Sequence, residues 1–590
     1  MKFEATGKSI KSILSEHEQL MIPRFQRDFS WDKRNYEEFL DDILSQISYK
    51  DDRFIESNYF LGNMIFLGAR NDKKLEVIDG QQRLTTITIL LAAIRNTLKE
   101  LQNDFASKIA DTIQDKYIIN DDYGDKIRRL EPKSSFPYFG NTIQSNVADN
   151  SEATTEEEED IKSTFDNFLK YLSIKAFKKR SLFTDNGIEL DEEKYIQALK
   201  ILFEQIIACE VVAIYVEDKK YANQLFENIN SKGKALSPID VIKNHIFSLV
   251  PESDAGIDNL QLCWQEMKRK ISSHTSEANY SRSFDDYFID YLKVRFPEWK
   301  VNKANVYSKF VKQFDTEEKN NQFVKELSKD LDQYLEIINP QEGSFSEQQK
   351  KPIYYALQAI SRFKGKQVII PILAVFLKRK ENKNIIKNDD LVNFMQFLAN
   401  YHFAVFGTNM KFRSNQLTYH FGIFTGKVKT AQNKGDMKDA ITYLKEQMLE
   451  LLPRDMFIEQ FKKIAYSKKK ARGKNLSEYP ASFAIRTIEN HMSGRKVNDS
   501  SSNIEHILDE GETGIDNIGN LIILETQYND ELGVLSRDKV ITYQDKREVY
   551  SNSRNSTVLK LLEQYEEFYE SDVEQRATEL GSYFITEILT

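Results

Sequence analysis

Glu505 and His506 stand side by side in Asn503-Ile504-Glu505-His506-Ile507-Leu508, ahead of Ile518-Gly519-Asn520-Leu521-Ile522-Ile523-Leu524 and then Asn529. An acid beside a histidine, an amide inside an apolar run and a second amide further on suit a one-metal phosphodiesterase. That reaction needs a base to take a proton from water and a cation to stabilise charge on the scissile phosphate. An imidazole titrates near neutrality, which makes His506 the candidate base. Glu505 and Asn529 offer hard oxygen ligands suited to Mg²⁺. For these to meet, residues 504–508 and 521–524 must pair as a hairpin and a helix must start at Glu525. Asn520 would then brace the loop between the strands. By spacing alone, a Glu-His pair on a strand is more often structural.

A second constellation lies near the other end. Val77-Ile78-Asp79-Gly80-Gln81-Gln82-Arg83-Leu84-Thr85-Thr86 runs from a strand through a glycine turn into a helix. The start of a helix presents unpaired N–H groups and the positive end of its dipole, so an anion can sit there. Arg83 adds a planar fork suited to phosphate. Gln81 or Gln82 can orient a water, and Asp79 can hold a metal or a sugar hydroxyl. The plainer alternative is a tight connection with solvated polar side chains. Ile22-Pro23-Arg24-Phe25-Gln26-Arg27-Asp28 sets two arginines around a glutamine among apolar residues, which is costly unless they meet an anion. Phe60-Leu61-Gly62-Asn63, together with Asn228, Asn230 and Lys232, supplies further candidates for the same site. Helix punctuation explains much of that last segment, with Gly233 ending one helix and Ser237-Pro238-Ile239-Asp240 capping the next.

The elements around these residues read clearly in places. Apolar spacing predicts helices over 36–47, 84–98, 323–338, 391–403 and 481–492, and strands over 63–68, 75–79 and 209–216. Residues 149–160, with Glu156 to Asp160 in a row, read as a solvated loop leading into a helix. From Phe461 to Lys474 there are seven Lys or Arg and no acid, a segment able to follow a DNA backbone or simply to connect domains, with Tyr466 as a stacking partner. At 590 residues with 22 Gly and 11 Pro, the chain should fold as several domains and not as collagen or low-complexity sequence. A net charge of −9 gives no overall support to DNA binding, although a local basic face would suffice. Two lone cysteines, Cys209 and Cys263, argue against a Cys-based zinc site and fit a reducing cytoplasm. The expectation is a cytoplasmic protein with no signal peptide and no membrane span.

These motifs resemble the GmrSD-type modification-dependent restriction endonucleases. Over residues 475–590, Glu505-His506-Ile507-Leu508, Ile518-Gly519-Asn520-Leu521, Asn529, Tyr543-Gln544-Asp545-Lys546, Tyr550, Ser553 and the helix Phe483–Glu489 are similar to the family's HNH nuclease domain. The resemblance implies His506 as base, Glu505 and Asn529 beside Mg²⁺ or Mn²⁺, Asn520 as brace and Lys546 as a phosphate contact. The family usually has a proline shortly after the histidine, where this chain has Asp509. Over residues 10–250, Asp79-Gly80-Gln81-Gln82-Arg83 and the segments around it resemble an N-terminal domain similar to ParB-like nucleotide-binding domains. That implies binding and hydrolysis of GTP or ATP and action on phage DNA, commonly distinguished by its modification.

The fold expected is α+β and predominantly helical. A ParB-like α/β domain with helical insertions would span 1–255, an all-helical domain 256–474, and a ββα-metal HNH domain 475–590. The function expected is an antiphage DNA endonuclease with a nucleotide-hydrolysing regulatory domain; a homo-oligomer is left open. Two rivals use the same residues: a nucleotide-switched DNA-binding protein that does not cut, and an RNA-directed nuclease that arrests growth.

Overall fold

The structure is a computed structural model. It describes residues 3–122, 125–133, 136–146, 151–218, 221–222, 225, 237–250, 258–275, 281–302, 304–345, 351–363, 365–410, 415–467, 478–495, 501–509, 515–536 and 541–590. The chain divides into an N-terminal unit, Met1–Lys270 with Lys303–Ser328, and a C-terminal unit, Ile271–Asn302 with Lys329–Thr590. Residues expected in one helical middle are therefore shared between the two. The architecture is α+β and mostly helical, with one small mixed sheet. Among the described residues, no helix is long and apolar enough to cross a membrane.

In the N-terminal unit the sheet contains β1 (Phe3–Ser9), β2 (Gln19–Ile22), β3 (Phe60–Leu67), β4 (Lys74–Asp79), β5 (Leu130–Pro132) and β6 (Glu210–Val216). Their order across the sheet is β1-β6-β3-β4-β2-β5. β3 and β4 pair antiparallel, while β3 with β6 and β4 with β2 are parallel. Alternation along the strands supplies apolar side chains to both faces. Met64, Phe66, Leu75 and Val77 enter the main core; Ile65, Ile78, Ile214 and Val216 form a smaller cluster with Ala222. The helix α1 (Gln81–Glu100) is buried almost all round, its threonines, Gln81, Gln82 and Arg95 included. It starts directly after β4, through Gly80.

Gly80 has φ +99°, a left-handed conformation that a side chain disfavours. A Cβ there would also lie 2.8 Å from Met64 Cγ. The turn that presents Gln81 to Arg83 thus requires glycine twice over.

The acidic run is not a solvated loop. Glu156 to Glu159 form the first turn of α2 (Glu156–Leu172), capped by Thr155. Buried Glu158 accepts from the N–H groups of Tyr138 (3.0 Å) and Thr154 (2.8 Å), and Glu157 accepts from Phe29 N–H at 2.8 Å. Acids favour the start of a helix, where its free N–H groups lie. Here they also fasten distant backbone. Two further helices bear on the site: α3 (Pro238–Leu249), with Ser237 and Asp240 forming a capping box, and α4 (Asn259–Thr275).

The last part of the C-terminal unit contains α5 (Glu478–Ser493), β7 (Ser502–His506), β8 (Leu521–Glu525), α6 (Thr526–Leu535), α7 (Tyr543–Tyr550), α8 (Ser556–Gln564) and α9 (Glu570–Tyr583). Ile507, Ile522 and Leu524 pack with Leu532, Tyr543, Val549 and Tyr550 in its core. Glu489 of α5 is fully buried and accepts from Ser556 N–H and Thr557 N–H, each at 2.8 Å, at the start of α8. Its charge is matched there by free helical donors and the helix dipole.

Gly80→Ala should lower the stability of the N-terminal unit by about 1–3 kcal/mol, because the strained φ and the Met64 contact both oppose a Cβ. Thermal denaturation of the variant against the parent protein measures the loss; an unchanged midpoint would show that the turn relaxes freely.

Candidate active sites

In the C-terminal hairpin, Glu505 lies opposite Ile522 and His506 opposite Leu521. Side chains alternate along a strand, so Glu505 and His506 leave β7 on opposite faces. On one face, Glu505 Oε2 accepts from Asn529 Nδ2 at 3.2 Å, bringing α6 to the strand. On the other, His506 is only 4% exposed and its Nε2 is 2.9 Å from the Tyr466 carbonyl oxygen. The two rings are nearly parallel, 15° apart in plane, with centroids at 5.9 Å. A carbonyl can only accept, so Nε2 carries hydrogen and the lone pair of the neutral ring is on Nδ1. Glu505 and Asn529 therefore meet as expected, while His506 stands across the strand from them instead of sharing their face.

Sequence reasoning missed the partner of His506. Tyr466 N–H donates to Asp516 O and Ile518 N–H to Ile464 O, both at 2.8 Å, so residues 464–466 pair along the loop before β8. Asn517 Nδ2 adds a bond to Lys462 O at 2.6 Å. Tyr466 thus acts on the histidine through its main chain as well as its ring. The rest of the basic segment, 468–474, lies outside the described residues.

Asn520 is fully buried and closes the loop. Its Oδ1 accepts from Leu508 N–H at 2.8 Å, and its Nδ2 donates to Leu508 O and Ile515 O, each at 2.9 Å. Its own carbonyl accepts from Ile507 N–H at 2.8 Å. Beside it, a Cβ on Gly519 would sit 1.9 Å from the Val573 carbonyl oxygen, so only glycine lets this loop touch α9. Arg576 of α9 donates to Gly519 O at 2.6 Å and Leu521 O at 3.0 Å; burial pushes its guanidinium down to about 10.

Lys546, expected as a phosphate contact, faces inward and is 2% exposed. Its ammonium lies 3.0 Å from Glu505 Oε1, 2.7 Å from His506 O and 3.1 Å from Asp509 Oδ1. An ammonium has three N–H donors, and these three bonds account for all of them.

The N-terminal site shows a similar division between ligand-ready and bracing groups. Arg83 donates to Leu61 O at 2.5 Å and Asn63 O at 2.6 Å, on either side of Gly62, with Asp79 Oδ2 at 3.5 Å. Its terminal nitrogens brace β3 where a phosphate had been expected. Gln26 donates to Ile78 O at 3.0 Å, and Gln82 bridges Ser30 N–H (3.0 Å) and Asp28 O (3.1 Å). Arg24 turns inward: it pairs with Asp258 and donates to Phe247 O at 3.2 Å. Arg27 is half-buried, and no side-chain hydrogen bond or ion pair occupies its guanidinium among the described residues, although its charge reaches Asp79. Gln81 donates to Arg27 O at 2.8 Å, yet its buried Oε1 has no hydrogen-bond partner among the described residues. Burial raises the Asp79 carboxyl above its ordinary range, against the pull of Arg83, the Gly80 N–H and Arg27.

Beside this turn lies a charged cluster that no local pattern marked. Asp28 sits between Lys243 of α3 and Lys268 of α4, each 2.7 Å away. Burial alone would raise its carboxyl, but the two ammonium groups hold it well below the usual carboxylate range. Burial and then the Asp28 charge push neighbouring Glu157 up to about 7. Asn228, Asn230 and Lys232 lie outside the described residues.

One chain thus carries a strand–turn–helix cradle in its N-terminal unit and a hairpin–helix carboxylate–amide pair in its C-terminal unit. Residues 10–247 match the GmrSD restriction endonuclease N-terminal domain, and residues 453–582 match the GmrSD restriction endonuclease C-terminal domain. The chain belongs to the GmrSD restriction endonuclease family. It is also 22% identical over 262 residues to an uncharacterized protein of Methanocaldococcus jannaschii, a match covering 39% of this chain and 40% of that relative's length.

Asn520→Ala should remove three side-chain hydrogen bonds at about 1 kcal/mol each and leave Leu508 and Ile515 backbone groups unpaired. Chemical denaturation should show a loss of about 3 kcal/mol, and Asn520→Asp a larger one, since its second oxygen would face two carbonyls. Parent-like stability in both would show that the loop closes without this amide.

Proposed function

We propose that the protein is a restriction-type DNA endonuclease whose C-terminal unit hydrolyses phosphodiesters and whose N-terminal unit binds and hydrolyses a nucleoside triphosphate. Family membership supports the nuclease reading. The observation that carries it is Glu505 and Asn529 meeting across β7 and α6, while the Tyr466 carbonyl fixes the tautomer of His506. The donor types suit Mg²⁺ or Mn²⁺: Glu505 has a carboxylate and Asn529 an amide oxygen, although Asn529 presents its Nδ2 to Glu505 in this structure, and Mg²⁺ commonly keeps several waters beside one or two carboxylates. Among the described residues no group of three or more His, Cys, Asp or Glu side chains is placed to hold a metal ion, so waters would have to complete the coordination of a cation here. When bound, the cation supplies charge stabilisation at the scissile phosphate. His506 takes the proton of the attacking water at Nδ1, and its Nε2–H stays on Tyr466 O to stabilise the imidazolium that forms. Asn520 keeps the strand end and its loop in place.

In the N-terminal unit, the first N–H groups of α1 and the Arg27 guanidinium receive phosphate oxygens. Gln81 Oε1, buried without a donor, accepts from the attacking water. Leaving such an acceptor unmatched is costly, so a ligand-bound water or hydroxyl there relieves a defect present in the protein alone. Arg83, Gln82 and Gln26 hold the turn.

Supercoiled plasmid incubated with Mn²⁺ or Mg²⁺ tests the first half. The parent protein should nick it, and His506→Ala should nick at least about a hundredfold more slowly while binding DNA equally in chelator. Undiminished nicking by the variant, or none by the parent, would sink this assignment. For the second half, Arg27→Ala should weaken triphosphate binding by about tenfold or more without changing the melting temperature. Equal affinity in parent and variant would remove the cradle.

A further inference from the structure

Lys546 shares its single positive charge between two carboxylates. Glu505 belongs to the catalytic pair, whereas Asp509 lies in the loop beyond the strand with half of its side chain exposed. Were Glu505 the sole acid at this ammonium, the pair would be neutral and a cation arriving at Glu505 Oε2 would meet no net charge. With Asp509 included, two carboxylates share this one ammonium, and Asp509 adds negative charge beside Glu505. Asp509 also gives the ammonium a second carboxylate, so that Lys546 is held between Glu505 Oε1 and the loop instead of collapsing onto Glu505 alone.

We propose that Asp509 is a positioning residue of the C-terminal site, acting through Lys546 to keep the Glu505 carboxylate oriented and negative enough to bind a divalent cation. This rests on the nuclease reading above. Partners of metal ligands commonly change metal affinity by about ten- to a hundredfold when removed. Asp509 lies at the gentler end of that range, because it acts through an intervening ammonium and is half in water.

Asp509→Asn is the informative change. It keeps the shape and an oxygen able to accept from Lys546, and removes only the charge. Mn²⁺ binding to the full chain without DNA should be measured by calorimetry for the parent, Asp509→Asn, Asp509→Glu and Glu505→Gln. The last gives the binding that does not involve Glu505. After its subtraction, Asp509→Asn should bind Mn²⁺ about tenfold more weakly with an unchanged melting temperature, and Asp509→Glu should recover most of the affinity. Nicking should follow: more Mn²⁺ for half-maximal rate, with a near-parent rate at saturation. Parent-like Mn²⁺ affinity in Asp509→Asn overturns the role. So does a loss accompanied by a lower melting temperature that Asp509→Glu fails to restore, since that pattern marks a folding contact. If the parent and Glu505→Gln bind Mn²⁺ identically, the cation site at Glu505 falls, and the role of Asp509 falls with it.

Discussion

The C-terminal site depends on one buried amide. Asn520 ties the start of the β7–β8 loop to its end by holding both backbone groups of Leu508 and the carbonyl of Ile515. A loop that leaves a strand has unpaired N–H and C=O groups, and burying them unmatched would be prohibitive. By matching three of them, a single side chain lets the two ends of the loop be buried. That fixes the position of Asp509 one residue beyond Leu508 and of Glu505 and His506 just before it. Gly519 and Arg576 complete the arrangement where the loop meets α9, one by lacking a side chain and the other by donating to the carbonyls on each side of Asn520.

The N-terminal turn follows the same physical logic with glutamines. Gln26, Gln81 and Gln82 join residues 26–30 to the β4–α1 turn through backbone atoms. Arg83 does likewise for the carbonyls on each side of Gly62. Lys243 and Lys268 hold Asp28 from the other side, so the segment carrying Arg27 is gripped along its length. Among the described residues, Gln81 Oε1 and the Arg27 guanidinium remain unmatched beside this turn. A rigid surround with a few unmatched groups is what an orienting site requires, because binding energy is then not lost to ordering the site itself.

How much of this was legible in the sequence depended on whether a residue's partner was local. The strand and helix on each side of Gly80, and the β7–β8–α6 order, announced themselves through periodicity and glycine. The role of Asn520 also followed, because its partners lie within the loop it closes. Tyr466 did not, since a main-chain carbonyl forty residues before His506 has no signature in residue type. Arg83 read as a phosphate-seeking cation because charge usually faces water, and the family resemblance implied the same task for Lys546. Burial and three inward acceptors reverse that for Lys546, and two strand carbonyls do so for the terminal nitrogens of Arg83. Glu157 and Glu158 looked solvated for the same reason. A run of like charges says nothing about which of its members meets distant backbone.

The opposite-face placement of Glu505 and His506 bears on how such a site can work at all. Adjacent strand residues cannot share a face, so a substrate touching both must approach the end of the strand, not its flank. β7 ends at His506, and the chain beyond it is turned aside by the Asn520 closure. The strand end is thus left with the carboxylate–amide pair on one side and the imidazole on the other. Each is held by an atom that cannot drift independently: Lys546 bonds both the Glu505 side chain and the His506 carbonyl, and Tyr466 bonds the ring. Because Lys546 touches both residues, displacement of one carries to the other. The Glu505 carboxylate is therefore tied to the strand's own backbone at His506 through one buried ammonium, which is stiffer than a side-chain rotamer would be alone.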